Sequence, residues 1–373
     1  MYDLSADSFD FQESLNNVPC RVRKRRLSGG QSDGVSLVEL EVGDLSLSVL
    51  PTRGMGIWRG HCGDVALKWD APVAGPVHPA LVNLAEPSGL GWLDGFDEWL
   101  VRCGLENNGE PEFDDKGILK YPLHGRIANT PAHSVTFSVD REKGEITLTG
   151  VVRETRLFFK KLELTSSLVM HTGTSRFTIR DTVTNLSASP SAFQLLYHIN
   201  TGMPFVSPDA RVLVPFDRLA PSTDLTAENL PEWSKLGPQT PGSGEVVFYF
   251  DPAADKNGCV KTLLVNAEGD RALALDFDKK SLPFFSLWKS RLSNDDGYVF
   301  GMEPSVNLPN NHSFEKKHGR IALLEPGQSR TQELRFEVLR DTESVQRTEQ
   351  KIAVTHRTAA GKIEPKPIPE WSP

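Results

Sequence analysis

Three short segments carry the side chains best suited to chemistry: Leu-His-Gly-Arg at 123–126, Tyr-His-Ile-Asn at 197–200 and Met-Glu-Pro-Ser at 302–305. A histidine can supply a proton near neutral pH, and a glutamate can remove one when its surroundings tune its pKa. His124, His198 and Glu303 are therefore a candidate acid/base set. Each also has an ordinary structural reading. His198 follows the apolar run AFQLLY and fits a hydrogen-bonded core imidazole, and His124 fits a turn residue. Glu303 precedes Pro304 at the end of an apolar run, where burying a carboxylate without a purpose would be costly. Tens of residues separate the three, so only a fold can bring them together.

The elements that must position them read as β-strands. VSLVELEVGDLSLSVL (35–50), HSVTFSVD (133–140), EITLTGVV (145–152), KKLELTSSLVM (160–170) and SRFTIRDTVTN (175–185) alternate apolar and polar residues. A period of two, rich in β-branched and aromatic residues, marks half-buried antiparallel strands. Further runs continue to TQELRFEVL at 331–339, with turn residues such as Glu-Lys-Gly at 142–144 between them. Helical spacing is confined to GWLDGFDEWLVRCG (91–104) and a stretch near 341–353. The pattern predicts an all-β chain, a large antiparallel β-sandwich over residues 1–373 with its core at about 35–340. N-terminal strands or an arm would occupy 1–34, and a Pro-rich tail would begin at about 355.

Bulk properties narrow the functional classes. The chain has 373 residues and a formal net charge of −8, with a pI near 5.7. That balance gives no general attraction to nucleic acid or anionic membranes. The basic cluster Arg21-Val-Arg23-Lys24-Arg25-Arg26 fits a solvated strand edge. Cys20, Cys62, Cys103 and Cys259 form no CxxC pair or disulfide framework, as expected of reduced thiols in a cytoplasmic protein. The acidic N-terminus has no apolar secretory core, and no run reaches the ~18 apolar residues of a membrane span. No HxH, HExxH or paired-cysteine spacing calls for a metal. GxSxG and glycine-rich phosphate or dinucleotide loops are also missing, so neither cofactor nor metal is expected.

A resemblance adds to this reading. LVRCGLENNGEPEFDDKGILKYPLHGR (100–126), YHIN (197–200) and GYVFGMEPS (297–305) resemble, in order and approximate spacing, segments of the galactose mutarotase (aldose 1-epimerase) family. The likeness covers roughly residues 35–340, and PTRGMGIW and GWLDGFDEW mark a distinct subgroup. It implies a sandwich of the large mutarotase type (a supersandwich), monomeric or homodimeric, that takes a small carbohydrate. It also implies cofactor-free acid/base isomerisation at the anomeric centre, where the ring opens and re-closes from the other face. On that resemblance Glu303 is the base and His198 the acid. His124 binds the sugar near the ring oxygen or the anomeric centre, and Arg102 supports a hydroxyl or Glu303. Arg126 departs from the commoner family spacing and either alters substrate choice or pairs with a nearby acid; Asn200, and Asn307 on a loop outside the shared pattern, are further candidates for holding the sugar. The acid and base would then stand a sugar's width apart, roughly 5–8 Å.

Two segments outside the shared pattern extend the candidate list. In PTRGMGIW, Gly54 and Gly56 predict a tight turn that aims Arg53 into the cleft or into an ion pair. In GWLDGFDEW, Asp94, Asp97 and Trp99 combine carboxylates with an aromatic face, as a sugar grip would, while an amphipathic helix with its tryptophans in the core accounts for them equally. Two other functions fit the same residues. One is a carbohydrate-binding protein without turnover. The other is a keto-sugar epimerase, isomerase or lyase whose acid/base pair works on a C–H bond beside a carbonyl.

Overall fold

The alternating strands assemble into two large, predominantly antiparallel sheets in a computed structural model that describes residues 1–373. The smaller, nine-stranded sheet contains the consecutive strands Ser134–Asp140, Glu145–Thr155, Lys161–His171 and Arg176–Asn185, followed across the sheet by Ser329–Leu339, Ala272–Asp278 and Cys259–Val265. Its alternation is regular because one face is buried and the other is wet. In Lys161–His171 every second residue, from Leu162 to Met170, is buried. The larger sheet has fourteen strands and begins with the hairpin Phe9–Leu15 and Val18–Arg26. The basic cluster lies in that hairpin, where Arg21 pairs with Asp10, and Arg23 and Arg25 pair with Glu39.

Between the sheets lies one continuous apolar core. Phe137, Leu148, Phe177 and Phe336 of the smaller sheet meet Tyr197, Ile199, Phe285 and Met302 of the larger, together with Trp99, which leads into its strand Leu100–Leu105. Burying side chains of this size contributes about 1.5–3 kcal/mol each. A second, smaller cluster lies on the other face of the larger sheet, built from Trp69, Trp92, Phe96, Val101, Cys103, Ala128, Leu196 and Val299. The central strand Ser191–Gly202 is therefore buried on both faces, which is why AFQLLYHI does not alternate.

The segment 91–104 is not the helix its spacing predicts. Gly91–Gly95 makes a short 3-10 turn and Leu100–Leu105 enters the larger sheet. The six-residue strand is buried along its whole length, and strand pairing on both sides prevails over the weak helical spacing. Helix does form at Thr342–Thr358, where the Asp341 side chain accepts from the Ser344 N–H as N-cap. The tail folds back along the surface. Lys362–Ile363 pairs in parallel with Phe216–Pro221, and the Trp371 carbonyl accepts from Asn310. No helix is long and apolar enough to cross a membrane.

Candidate active site

The strand register brings the acid and base candidates into contact. Ser191–Gly202 and Val299–Ser305 are antiparallel neighbours with Ile199 opposite Met302 and Asn200 opposite Gly301. His198 therefore faces Glu303 across the ladder, where directly opposed Cβ atoms lie about 4.5–5.5 Å apart. The two side chains meet at 3.1 Å between His198 Nε2 and Glu303 Oε1. This corrects the separation of a sugar's width expected from the sequence, because motif spacing does not reveal that the two strands are adjacent. The same register continues the row outward, with Ser286 opposite Glu303 and Tyr249 opposite Ser286. Gly301 leaves space beside the pair. A Cβ there would lie 3.1 Å from Glu303 Oε1 and 3.2 Å from His198 Cε1.

His124 joins the pair from a loop. Its backbone is left-handed, at φ 55°, and its N–H donates to the Gly109 carbonyl. Gly125 follows because a side chain does not fit: a Cβ would fall 2.3 Å from the Asn107 carbonyl oxygen and 2.4 Å from that of Gly104. The His124 ring packs edge-on to Trp92 at 4.6 Å and to His198 at 5.8 Å between centroids. Phe96 and Trp288 flank His198 at 5.0 and 5.2 Å.

Hydrogen bonds fix the tautomer of both imidazoles. His124 Nδ1 lies 2.8 Å from the Asn108 carbonyl oxygen, which can only accept, so Nδ1 carries the proton. Asn200 donates its amide to the Glu98 carbonyl, which turns its side-chain oxygen toward His198 Nδ1 at 2.5 Å. Both rings thus leave Nε2 as the nitrogen free to exchange a proton. Burial holds His124 down to about 4, against the Asn108 contact. Burial and the neighbouring His124 hold His198 down to about 3, against its bond to Asn200. Burial, reinforced by Glu245, pushes Glu303 well above the usual carboxylate range. Low polarity disfavours both charged forms, so the resting pair is uncharged, with its one mobile proton on Glu303 and directed at His198 Nε2. Transfer of that proton gives the isomeric ion pair, with imidazolium and carboxylate side by side. The site can therefore give a proton at one atom and accept one at another about 3 Å away.

Several expected site residues lie elsewhere. Arg102 points into the core between the sheets, where it forms a two-pronged pair with Asp181 and donates to the Met55 carbonyl and Ser166. Its neighbours Val101 and Cys103 are the ones that face the site floor. Trp99 also lies in that core, against Phe177 and Phe336. Arg53 is fully buried and spent on Glu98, the Val77 and Gly95 carbonyls and Asn129. Gly54 serves close packing of chain on chain, since a Cβ would fall 2.3 Å from the Ile127 carbonyl oxygen. Arg126 lines a separate pocket of about 270 Å³ with Glu106, Glu154, Arg156 and Lys160. Asp94 is exposed on the 3-10 turn, and Asp97 belongs to another groove. Asn307 is buried in an amide network with Asn108 and Gln194, so it supports the His124 loop and presents nothing to a ligand. Asn200 is buried behind His198, where it acts on the imidazole.

The sequence reading left out Phe96, Trp288, Tyr249, Ser286 and Asn108. Only the register places Trp288, Tyr249 and Ser286 beside the acid/base row, Phe96 reaches it from the end of the 3-10 turn, and Asn108 acts through its backbone, which no side-chain motif reveals. Ser286 Oγ and Trp92 Nε1 are buried without a hydrogen-bond partner. No group of three or more His, Cys, Asp or Glu side chains is arranged to hold a metal ion.

Comparison with known proteins agrees with this architecture. Residues 32–338 match the model of a family described as a domain of unknown function, DUF4432. A protein from Klebsiella pneumoniae, provisionally described as an aldose 1-epimerase, is 32% identical and superposes with a TM-score of 0.91, covering 95% of this chain and 93% of its own. A galactose mutarotase-like protein from Clostridium acetobutylicum superposes with a TM-score of 0.59 at 15% identity, over 90% of this chain and 99% of its own. An Escherichia coli K12 protein, also provisionally described as an aldose 1-epimerase, reaches 0.51 at 16% identity, over 79% and 96%. No protein of curated function matches the chain.

Proposed function

The chain belongs to the DUF4432 family and has the galactose mutarotase-like fold, and from that premise we propose that it interconverts the anomers of a free sugar by cofactor-free acid/base catalysis. The observation that carries this reading is the 3.1 Å contact between His198 Nε2 and Glu303 Oε1. Mutarotation removes a proton from the anomeric hydroxyl and places one on the ring oxygen, the ring opens, and the aldehyde re-closes from its other face. The two sugar oxygens share the anomeric carbon, so an acid and a base in contact can reach both at once. With the proton on His198, Glu303 takes the hydroxyl proton while His198 protonates the ring oxygen. Re-closure returns both protons, so the pair ends each cycle as it began. His124 Nε2 accepts from a neighbouring sugar hydroxyl. The indole and phenyl faces of Trp92, Phe96 and Trp288 cover the apolar C–H face of the ring.

The withdrawal of Arg53, Arg102 and Arg126 from the cleft supports this reading over C–H chemistry, which needs a cation or strong donors at the developing enolate. The decisive experiment compares the wild type with Glu303→Gln in polarimetry or NMR exchange between the anomers of candidate aldoses. Glu303→Gln keeps the shape and should lower turnover by roughly 10²–10⁴-fold with sugar affinity retained. No acceleration of any aldose over its spontaneous rate by the wild type would rule the proposal out.

A further inference from the structure

The hairpin of Glu145–Thr155 and Lys161–His171 ends its ladder at Thr155 opposite Lys161, and Arg156, Leu157, Phe158, Phe159 and Lys160 close it. The neighbouring strand Ser134–Asp140 pairs no further than Val151, so the hairpin end overhangs the sheet on that side. Three consecutive large apolar side chains stand in solvent at its tip, with Leu157, Phe158 and Phe159 at 72%, 90% and 55% exposure. The Phe158 backbone is left-handed, at φ 66°, a region that bulky residues avoid, and its ring gains no burial in return. Further apolar surface lies at the base of the hairpin. The Leu186 N–H donates to the Lys161 carbonyl, and the carbonyl of Leu324 accepts from the Asn185 amide. Leu186 and Leu323, beside these contacts, are exposed as well. Single exposed apolar residues need no explanation, but a group of them marks a surface that something covers.

Cations collar the tip. The exposed Arg156 guanidinium lies over the Phe159 ring at 4.1 Å, and Lys161 is exposed on the adjoining strand. Arg126 and Lys160 line the pocket behind them. Of the nearby acids, Glu163 is taken by Arg153, Glu106 stands 3.9 Å from Lys160, and Glu154 accepts from the Leu105 and Glu106 N–H groups. Arg126, Arg156 and Lys161 are left without a salt bridge. We propose that this end of the sandwich docks on an anionic lipid surface, with Leu157, Phe158 and Phe159 entering the boundary between headgroups and acyl chains while Arg156 and Lys161 meet lipid phosphates. Charge favours this occupant over a second copy of the chain. A two-fold contact through the tip would bring Arg156 and Lys161 toward their own counterparts, whereas acidic headgroups oppose them with the right sign. A projecting apolar tip enters a bilayer without a fitted pocket, which a protein partner would have to supply. The whole chain carries a net charge of −8, so binding depends on this end alone.

This inference is independent of the reaction in the cleft, and its test does not read turnover. The full chain is sedimented with phosphatidylcholine vesicles that contain or lack phosphatidylserine. The expected result is that the protein pellets with the phosphatidylserine vesicles at low salt and is released as the salt is raised. Phe158→Ser and, separately, Arg156→Glu should each weaken that partition about tenfold. Both side chains are exposed, so melting temperature should stay at the wild-type value in each variant. The proposal is overturned if phosphatidylserine vesicles do not retain the wild type, if vesicles without phosphatidylserine retain it equally, or if either variant binds as the wild type does. It is also overturned if the tip holds two copies together instead, so that Phe158→Ser dissolves a dimer that the vesicles leave in solution.

Discussion

Asn200 Oδ1 lies 2.5 Å from His198 Nδ1, two residues away on the same face of one strand, and this contact determines which imidazole nitrogen meets Glu303. The Asn200 amide is held in turn by the Glu98 carbonyl, so its side-chain oxygen cannot rotate away without losing a buried bond. His198 therefore presents an unprotonated Nε2 to the Glu303 carboxyl group, and acid/base function depends on where one proton rests.

That arrangement fixes the sign of the pH dependence. The active, singly protonated pair gains a second proton only as pH falls toward the depressed value of His198, about 3. It loses its proton only above the raised value of Glu303, which lies beyond the usual carboxylate range. The acid limb expected of an ordinary histidine near 6.5 should be missing, and kcat/KM should not fall as pH is lowered from about 6.5 to about 5. The ¹⁵N shifts of His198 and His124 should show the neutral Nδ1–H form throughout the same range, with or without turnover. A titration of either ring near 6.5 would contradict the assigned proton inventory.

Gly301 gives a second test, of geometry alone. An added Cβ would stand 3.0 Å from Trp288 Cε3, 3.1 Å from Glu303 Oε1 and 3.2 Å from His198 Cε1, so each neighbour must give way by a few tenths of an ångström. Gly301→Ala should push the acid and base apart and lower kcat by up to about 10-fold, since a full 1 Å misplacement can cost about 100-fold. Its melting temperature should stay near that of the wild type. Unchanged kcat would mean that the contact is not part of the machinery.

Arg102 should matter for folding and not for sugar. Removing it leaves the buried Asp181 carboxylate uncompensated, so Arg102→Met should destabilise the protein by about 3–5 kcal/mol in denaturant unfolding. Combining it with Asp181→Leu should recover much of that loss, because the charge left without a partner is then gone as well. If Arg102→Met instead raised the KM for a sugar without changing stability, its position in the core would be wrong.

Heavy water separates the anomeric reaction from C–H chemistry. Mutarotation exchanges only protons bound to oxygen, so sugar recovered after many turnovers should carry no deuterium on carbon by NMR or mass spectrometry. Deuterium beside the carbonyl, lost in Glu303→Gln, would identify a keto-sugar epimerase, isomerase or lyase.

Sequence alone determined the architecture, because alternation with period two depends only on which residues are apolar. Strands such as Lys161–His171, wet on one face, follow that rule along their length. The order of the three motifs also singled out His124, His198 and Glu303, but not their setting: His198 and Glu303 lie within strands and His124 in a loop. What the sequence could not supply was phase and neighbour. In Leu100–Leu105, buried on both faces, no polar residue marks the outside. Arg102 and Val101 are thus equal candidates for the cleft until pairing with Tyr197 and His198 assigns their faces, and a shift of one residue reverses that assignment. Phe96 and Asp97 divide between the cleft and the neighbouring groove in the same way. The 3.1 Å contact of His198 with Glu303 is a property of register between strands about a hundred residues apart, and only the folded sheet decides it.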